Sequence, residues 1–467
     1  MAKTGDPNAP RPDAPPTSRL SRLARLGALA PRALPLAKEA MRRAMGGTAK
    51  ELDVDERAKL KETARKTADA MLKTLGEMKG LPLKLGQMAS YIEGLAPPGY
   101  EEKFQEVLKK LQQKAPPLSR DAAHRVIVEE LGIAPDELFG EWDPDPFAAA
   151  SVGQVHRAKT RDGRLVAVKV QYPGIDRAIA NDLKSLGMLE SMIAPVGRKY
   201  HTKETLDEIR TVFLAELDYG REAESLEMFR RMHAGDRMIV VPEVVHSLTT
   251  KRVITMELMG GVDYATFVEN ASQEDKNAAG ETIWRFMFRA LYQYGVLYAD
   301  PHPGNYRFLG GGRVAFLDYG CVRILPPALV DGLKGVVVAS MDSDWDRFYQ
   351  LCVSVLGYDS SDEAAFHLYT EYTKFLMQPF LQVPFHHTPE VAREAVGFLV
   401  RHGKELVLPS SGMMPNLPKP IHMPVEATFM NRLQWGLSSI MGGLRATGDY
   451  RAISEPFVRG TTMPPPT

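Results

Sequence analysis

The chain has 467 residues, 44% of them hydrophobic and 25% charged, and its 58 Lys and Arg balance 58 Asp and Glu. That length exceeds one small core and predicts two or three packed units. The even charge leaves no electrostatic footprint for nucleic acid, so none is expected as a partner. Two cysteines, Cys321 and Cys352, exclude a disulfide framework and a paired-cysteine metal knuckle and fit a reducing compartment.

Residues 1–17 are Pro-rich with Gly, Asn and Asp, a composition without a packed core. Residues 18–45 carry seven Lys and Arg among Leu and Ala. Such a basic amphipathic segment either lies on an anionic membrane surface or forms a loosely docked, solvated helix broken by Pro31 and Pro35. Its composition also resembles a transit peptide. No apolar run reaches the ~20 residues that span a bilayer. The best stretch, between Arg432 and Arg445, is too short and contains Gln434, Ser438 and Ser439. The N-terminus lacks the apolar core of a secretory signal, so the expected location is cytoplasmic, at most peripheral to the inner face of a membrane.

Residues 51–115 follow a helical pattern, and 121–140 predict a helix ending near Gly132. Strand-like runs follow at 147–159, 164–172, 239–247 and 252–258, the first two joined by the turn Arg161-Asp162-Gly163. A helical block is expected over 175–234. After Gly260-Gly261 the chain reads as mostly helical to about residue 445, then Pro-rich. The expected units are 1–50, a basic N-terminal segment; 51–117, a helical extension; 118–260, a sheet-rich lobe; 261–450, a helical lobe; and 451–467, a tail. The expected fold class is α+β, with two lobes and a cleft between them.

The strongest local signal is LYADPHPGNYRF at 297–308 followed by VAFLDYG at 314–320. Asp300 and Asn305 stand five apart in a Pro/Gly loop, and Asp318 closes an apolar run before Gly320. That order matches the protein-kinase plan. Asn305 and Asp318 would supply oxygen ligands to Mg²⁺, and Asp300 would orient or deprotonate an acceptor hydroxyl or a water. Upstream, VAVK ends at Lys169, whose ammonium suits the α- and β-phosphates. In LAELDYGREAES, Glu216, Asp218 and Glu222 lie on a helix-prone stretch. Asp218 and Glu222, four apart, are expected to share one face, and one of these acids would pin Lys169. FAAASVGQ at 147–154 sits where a phosphate loop is usually glycine-rich. Its Ala148, Ala149 and Ala150 methyls obstruct close backbone approach, and Gly153 keeps one flexible point. In KLGQ, Lys84 and Gln87 project from one helix face, and Gly86 between them suggests close packing.

Together these motifs resemble the UbiB/AarF family of atypical kinase-like proteins, a group linked to ubiquinone biosynthesis, over roughly residues 75 to 325. The resemblance implies a protein-kinase-like two-lobed fold with an N-terminal helical extension carrying K-x-G-Q at Lys84, Gly86 and Gln87, folded over the cleft. It places the alanine-rich loop at Ala148, Ala149, Ala150, Ser151 and Gly153, the kinase-like lysine at Lys169, and the E-x-D motif at Glu216 and Asp218. Glu222 falls at the helix-C glutamate, and Glu257 is counted with the nucleotide-binding residues. The chain departs from the kinase pattern at Tyr298, Ala299 and Tyr319. Ala299 replaces the arginine that would read an activation-loop phosphate.

The expected cofactors are ATP or ADP and Mg²⁺. The expected activity is an ATPase or a small-molecule or lipid kinase supporting ubiquinone-type quinone biosynthesis. A quinone precursor, a lipid and a membrane surface met through 18–45 are the further candidate partners. The alternative is a non-catalytic, nucleotide-gated scaffold for lipid or partner proteins, and protein Ser/Thr kinase activity ranks third. His386-His387 reads as a solvated loop rather than a metal site. The methionines read as adaptable core packing, and Cys321 as a small packed residue.

Overall fold

The computed structural model describes residues 13–28, 66, 74, 77–80, 118–150, 152–185, 210, 213–402 and 425–466. The expected K-x-G-Q residues Lys84, Gly86 and Gln87, and Ser151 of the alanine-rich loop, lie outside the described residues. In chain order the elements used below are α1 (Arg19–Gly27), α2 (Arg120–Leu131), β1 (Glu141–Trp142), β2 (Ala148–Ala149), β3 (Gly153–Lys159), β4 (Leu165–Gln171) and α3 (Tyr219–Met232). They continue with β5 (Ile239–Val240), β6 (Val253–Glu257), α4 (Gln273–Phe288), β7 (Val296–Tyr298), β8 (Tyr306–Gly310), β9 (Arg313–Phe316) and β10 (Val322–Ile324). Last come α5 (Pro327–Met341), α6 (Trp345–Ser354), β11 (Phe385–His386), α7 (Val425–Leu444), β12 (Thr447–Gly448) and α8 (Tyr450–Arg459). The α+β class holds.

The chain divides into two compact units. The first comprises residues 1–195, 216–220 and 245–257, the second 196–215, 221–244 and 258–467.

In the first unit an antiparallel sheet runs β1-β3-β4-β6, with β2 pairing β3. The β3–β4 turn closes through Thr160 N–H to Arg164 O and Gly163 N–H to Thr160 O, with Gly163 at φ 91°. A residue without Cβ is favoured at that φ, which is why the turn was legible. Helix α2 starts on Ser119, whose hydroxyl accepts from Ala122 N–H, and ends on Gly132 at φ 73°. Its Ala123, Val126 and Ile127 pack on Val166, Val168 and Val170 of β4. From Val166 onward every β4 residue is buried, the pattern of a strand covered on both faces.

The second unit is built around α4, capped by the Ser272 hydroxyl accepting from Asp275 N–H. After Gly260-Gly261 the sequence was expected to be mostly helical; the runs at 239–247 and before Asp318 read as strand-like and contribute β5 and β9, while β7, β8, β10, β11 and β12 are strands that were not expected. Parallel β5 and antiparallel β8 flank β9, β7 pairs with β10, and β11 pairs with β12. These strands have two to five residues, too short for alternation to register. The β8–β9 turn uses Gly310, Gly311 and Gly312, all at positive φ. The expected tail also shifts: Asp449 accepts from Ala452 N–H and starts α8, so extended chain begins only after Arg459. His387 is buried, not solvated, with its ring 4.9 Å from Tyr450 and 5.8 Å from Trp284. Cys321 is buried as expected. Among the described residues no helix is long and apolar enough to cross a membrane, and no three His, Cys, Asp or Glu gather as a metal site.

Candidate functional site

Lys169 lies near the middle of β4, paired with Val155 of β3 and Ile254 of β6, and is 8% exposed. A lysine flanked by two strands is buried only with compensation, and its Nζ sits 4.9 Å from the Tyr219 ring centre, within cation–π range. Tyr219 is tied to the sheet by its N–H to Lys251 O at 2.9 Å.

The run 147–159, expected as one strand, is two. Ala148 and Ala149 form β2, pairing with Val155 and Gln154. The chain then turns, with Ala150 N–H donating to Gly153 O at 2.8 Å. Tyr172 braces this turn, its N–H reaching Val152 O and its hydroxyl Ala150 O at 3.4 Å. Gly153 is not a flexible point at positive φ. It is a buried strand residue, and a Cβ there would stand 2.5 Å from Val170 O and 2.6 Å from the Tyr219 hydroxyl. Glycine is required by lack of room.

Glu216 is buried and Asp218 half-buried. The helix begins at Tyr219, so Asp218 precedes it, and Asp218 Oδ1 instead accepts from Gly220 N–H at 3.1 Å. The expected shared helical face of Asp218 and Glu222 is therefore not formed. An aspartate accepting from the amide two residues on takes the turn geometry found just ahead of a helix's first residue, not a position inside it. Glu222 is buried in the first turn of α3. Glu257 is exposed at the end of β6, opposite Val166 and three residues along the ladder from Lys169.

The second unit assembles the loop acids. Strand β7 ends at Tyr298, and Ala299 N–H to Cys321 O carries the pairing one residue further, fixing the backbone into Asp300. His302 then caps a short turn over Pro303–Asn305, its Nδ1 accepting from Gly304 N–H at 2.9 Å. Asn305 Nδ2 donates to Asp300 O at 3.1 Å, and Asn305 O accepts from Leu317 N–H at 2.9 Å. One residue thus holds both the Asp300 loop and the residue before Asp318. Asp318 Oδ1 accepts from Gly320 N–H at 3.0 Å. With the Asn305 amide nitrogen directed at Asp300 O, its Oδ1 remains the acceptor end, so Asn305 and Asp318 present hard oxygen donors of the kind Mg²⁺ prefers.

Behind these acids lies an aromatic column that the sequence reading did not single out. The Phe229 ring of α3 is 5.2 Å from Tyr319 and 5.8 Å from Tyr298, and those two are 5.8 Å apart edge to face. Burial pushes both phenols well above their ordinary pKa, with the Asp318 carboxylate adding to the effect, so both remain neutral. The unusual Tyr298 and Tyr319 were the available signal; Phe229 had none, since an apolar residue in a helix reads as core.

The ABC1 atypical kinase-like domain matches residues 110–352. The rat protein named atypical kinase COQ8B, mitochondrial, is 31% identical over 337 residues, 72% of this chain and 62% of the relative. Atypical kinase COQ8 of Saccharomyces cerevisiae is 30% identical over 351 residues, 73% of this chain and 67% of the relative. An Arabidopsis thaliana chloroplastic aarF domain-containing protein kinase is 34% identical over 280 residues, with 60% and 39% covered. The chain thus spans between 39% and 67% of these relatives' own length. Among solved structures, Rv3197 of Mycobacterium tuberculosis in complex with erythromycin is 26% identical with a TM-score of 0.59, covering 88% of this chain and all of that one. The matched domain takes in the alanine-rich loop, Lys169 and the Asp300–Asp318 region, and this chain belongs to the ABC1 atypical kinase-like family, the UbiB/AarF group.

Proposed function

We propose that the chain binds ATP or ADP with Mg²⁺ and turns ATP over, as an ATPase or a small-molecule or lipid kinase, in support of ubiquinone-type quinone biosynthesis. The observation that carries this reading is the double hold of Asn305 on Asp300 and Leu317. A scaffold that only bound nucleotide would have no use for a general-base aspartate kept in register with metal-ligand oxygens.

In this reading Lys169 binds the α- and β-phosphates, and its burial beside Tyr219 holds the ammonium in one place. Ala148, Ala149, Ala150, Ser151 and Gly153 form the loop over the nucleotide, with Glu222 and Glu257 as further nucleotide-binding residues. Asn305 and Asp318 hold Mg²⁺, which when bound offsets phosphate charge. Asp300 orients or deprotonates the acceptor, a water or a hydroxyl. Lys84, Gly86, Gln87, Glu216 and Asp218 are the family-motif residues. Quinone chemistry rests on the names of the COQ8 relatives, and location at the inner face of a membrane on residues 18–45.

The test is Mg²⁺-dependent ATP turnover by the purified chain, with and without a phenolic or lipid additive, beside Asp318→Asn. Nucleotide binding without turnover in any condition would leave the scaffold reading. Efficient phosphorylation of proteins in trans would favour the protein kinase.

A further inference from the structure

Within the second unit a cavity of about 690 Å³ opens between α5 and the stretch 458–465, and none of Asp300, Asn305 and Asp318 lines it. This is within the roughly 300–1,000 Å³ of small-molecule sites. Its walls are largely apolar, with Val330 and Val338 from α5, Val458 from α8, and Met463 and Pro464 from the extended chain beyond it.

One wall carries a buried cation. Lys334 is 6% exposed, and its Nζ donates to Gly460 O at 2.8 Å and to Thr462 Oγ1 at 2.7 Å. Thr462 in turn donates to Asp331 Oδ1 at 3.1 Å. An ammonium has three N–H donors. Two are used here, and the third has no partner among the described residues. Of the charged residues lining the cavity, Lys334 and Arg347 are cationic and Asp331 is anionic, which leaves one net positive charge. A buried ammonium with an unused donor is costly unless an anion completes it.

We propose that this cavity binds a single-chain amphipathic carboxylate, a medium-chain fatty acid. Lys334 Nζ donates to a carboxylate oxygen, and Val330, Val338, Val458 and Met463 line the space for the alkyl chain. A headgroup alone would leave the apolar walls wet, and an alkyl chain alone would leave the lysine incomplete. The site depends on no assignment made for ATP, so its failure would leave the nucleotide reading untouched.

Titration calorimetry of the full chain with octanoate, decanoate and dodecanoate, and with decanol as the uncharged control, tests this. Saturable 1:1 binding is expected, tightening about four-fold per added methylene, from about 0.8 kcal/mol per CH₂ at 1.4 kcal/mol per decade. Decanoate is expected to bind at least about ten-fold tighter than decanol, the difference made by one charge-assisted hydrogen bond. Lys334→Met should remove that preference and leave decanol binding as it was. Because Lys334 also ties down the C-terminal stretch, Val338→Trp is the second variant. It fills the cavity while leaving Lys334 and its two hydrogen-bond partners in the sequence, and should abolish binding of both ligands while the melting temperature is retained. No saturable binding, equal affinity for decanoate and decanol, or binding that survives Val338→Trp would each overturn the proposal.

Discussion

The side-chain amide of Asn305 donates to the backbone carbonyl of Asp300 across 3.1 Å, and the backbone carbonyl of Asn305 accepts from Leu317. Asn305 is thus a brace as well as a candidate metal ligand. Asn305→Ala should lower Mg²⁺-dependent ADP affinity about ten-fold, the loss of one hydrogen bond and one ligand oxygen. Asn305→Asp keeps the oxygens but loses the donor, and should fall between the two. Calorimetric ADP titrations with and without Mg²⁺ distinguish the three proteins; equal Mg²⁺ dependence in all of them would remove Asn305 from the site.

Gly153 is held between Val170 O and the Tyr219 hydroxyl with no space for a methyl group. Gly153→Ala is expected to destabilise the first unit by about 1–3 kcal/mol through overpacking, read as a lowered melting temperature. Ala149→Gly removes a half-buried methyl from the residue just before the turn closed between Ala150 and Gly153. It should change nucleotide affinity or selectivity at a smaller stability cost. Unaltered ATP and ADP binding by that variant would dissociate the alanine-rich loop from the nucleotide.

Helix α1 turns its chemistry inside out. Arg22 is 2% exposed, pairing with Asp182 at 2.7 and 2.5 Å and donating to Met78 O at 2.7 Å, while Leu20 and Leu23 face outward at 80% and 43% exposure. Of the basic residues read as a membrane-facing or solvated set, Arg22 is instead the anchor, and the leucines are what a lipid surface would meet. Leu20→Ser with Leu23→Ser should reduce co-sedimentation with anionic liposomes and leave the melting temperature near its original value. Undiminished co-sedimentation would contradict membrane contact through this helix.

Lys79 is 1% exposed with its Nζ 5.0 Å from the Tyr172 ring centre, and burial lowers its pKa to about 7. The unfolded chain, with an ordinary lysine near 10.4, binds more protons than the folded one between about pH 7 and 10. Stability therefore rises through that window, by up to about 1.4 kcal/mol per pH unit for one proton, and below pH 7 the cost of burying the charge is constant. Lys79→Met should flatten this rise and raise the melting temperature most at pH 6. Parallel pH profiles for the two proteins would show that Lys79 does not titrate in this way.

Much of the catalytic-type geometry was legible in the sequence because it is local. The Asp300–Asn305 spacing, the strand closing on Asp318 and the Thr160–Arg164 turn each depend on a few neighbouring residues and on Gly or Pro at fixed offsets. The parts that escaped depend on distant partners. Asp218 reads as helical until its side chain is seen to bond Gly220 N–H. Gly153 reads as flexible until Val170 and Tyr219 close around it. The Phe229–Tyr319–Tyr298 contacts join residues far apart in sequence, and the two-to-five-residue strands of the second unit are set by their pairing rather than by their own pattern.

The most direct measurement is ATP hydrolysis or transfer by the purified chain in Mg²⁺, set beside Asp318→Asn with nucleotide binding followed in parallel. Mg²⁺-dependent turnover is expected in the unaltered chain, with a loss of at least about a hundred-fold in the variant, equivalent to ~2.7 kcal/mol of transition-state stabilisation. Turnover that is the same in both proteins, or nucleotide binding with no turnover in either, would contradict it.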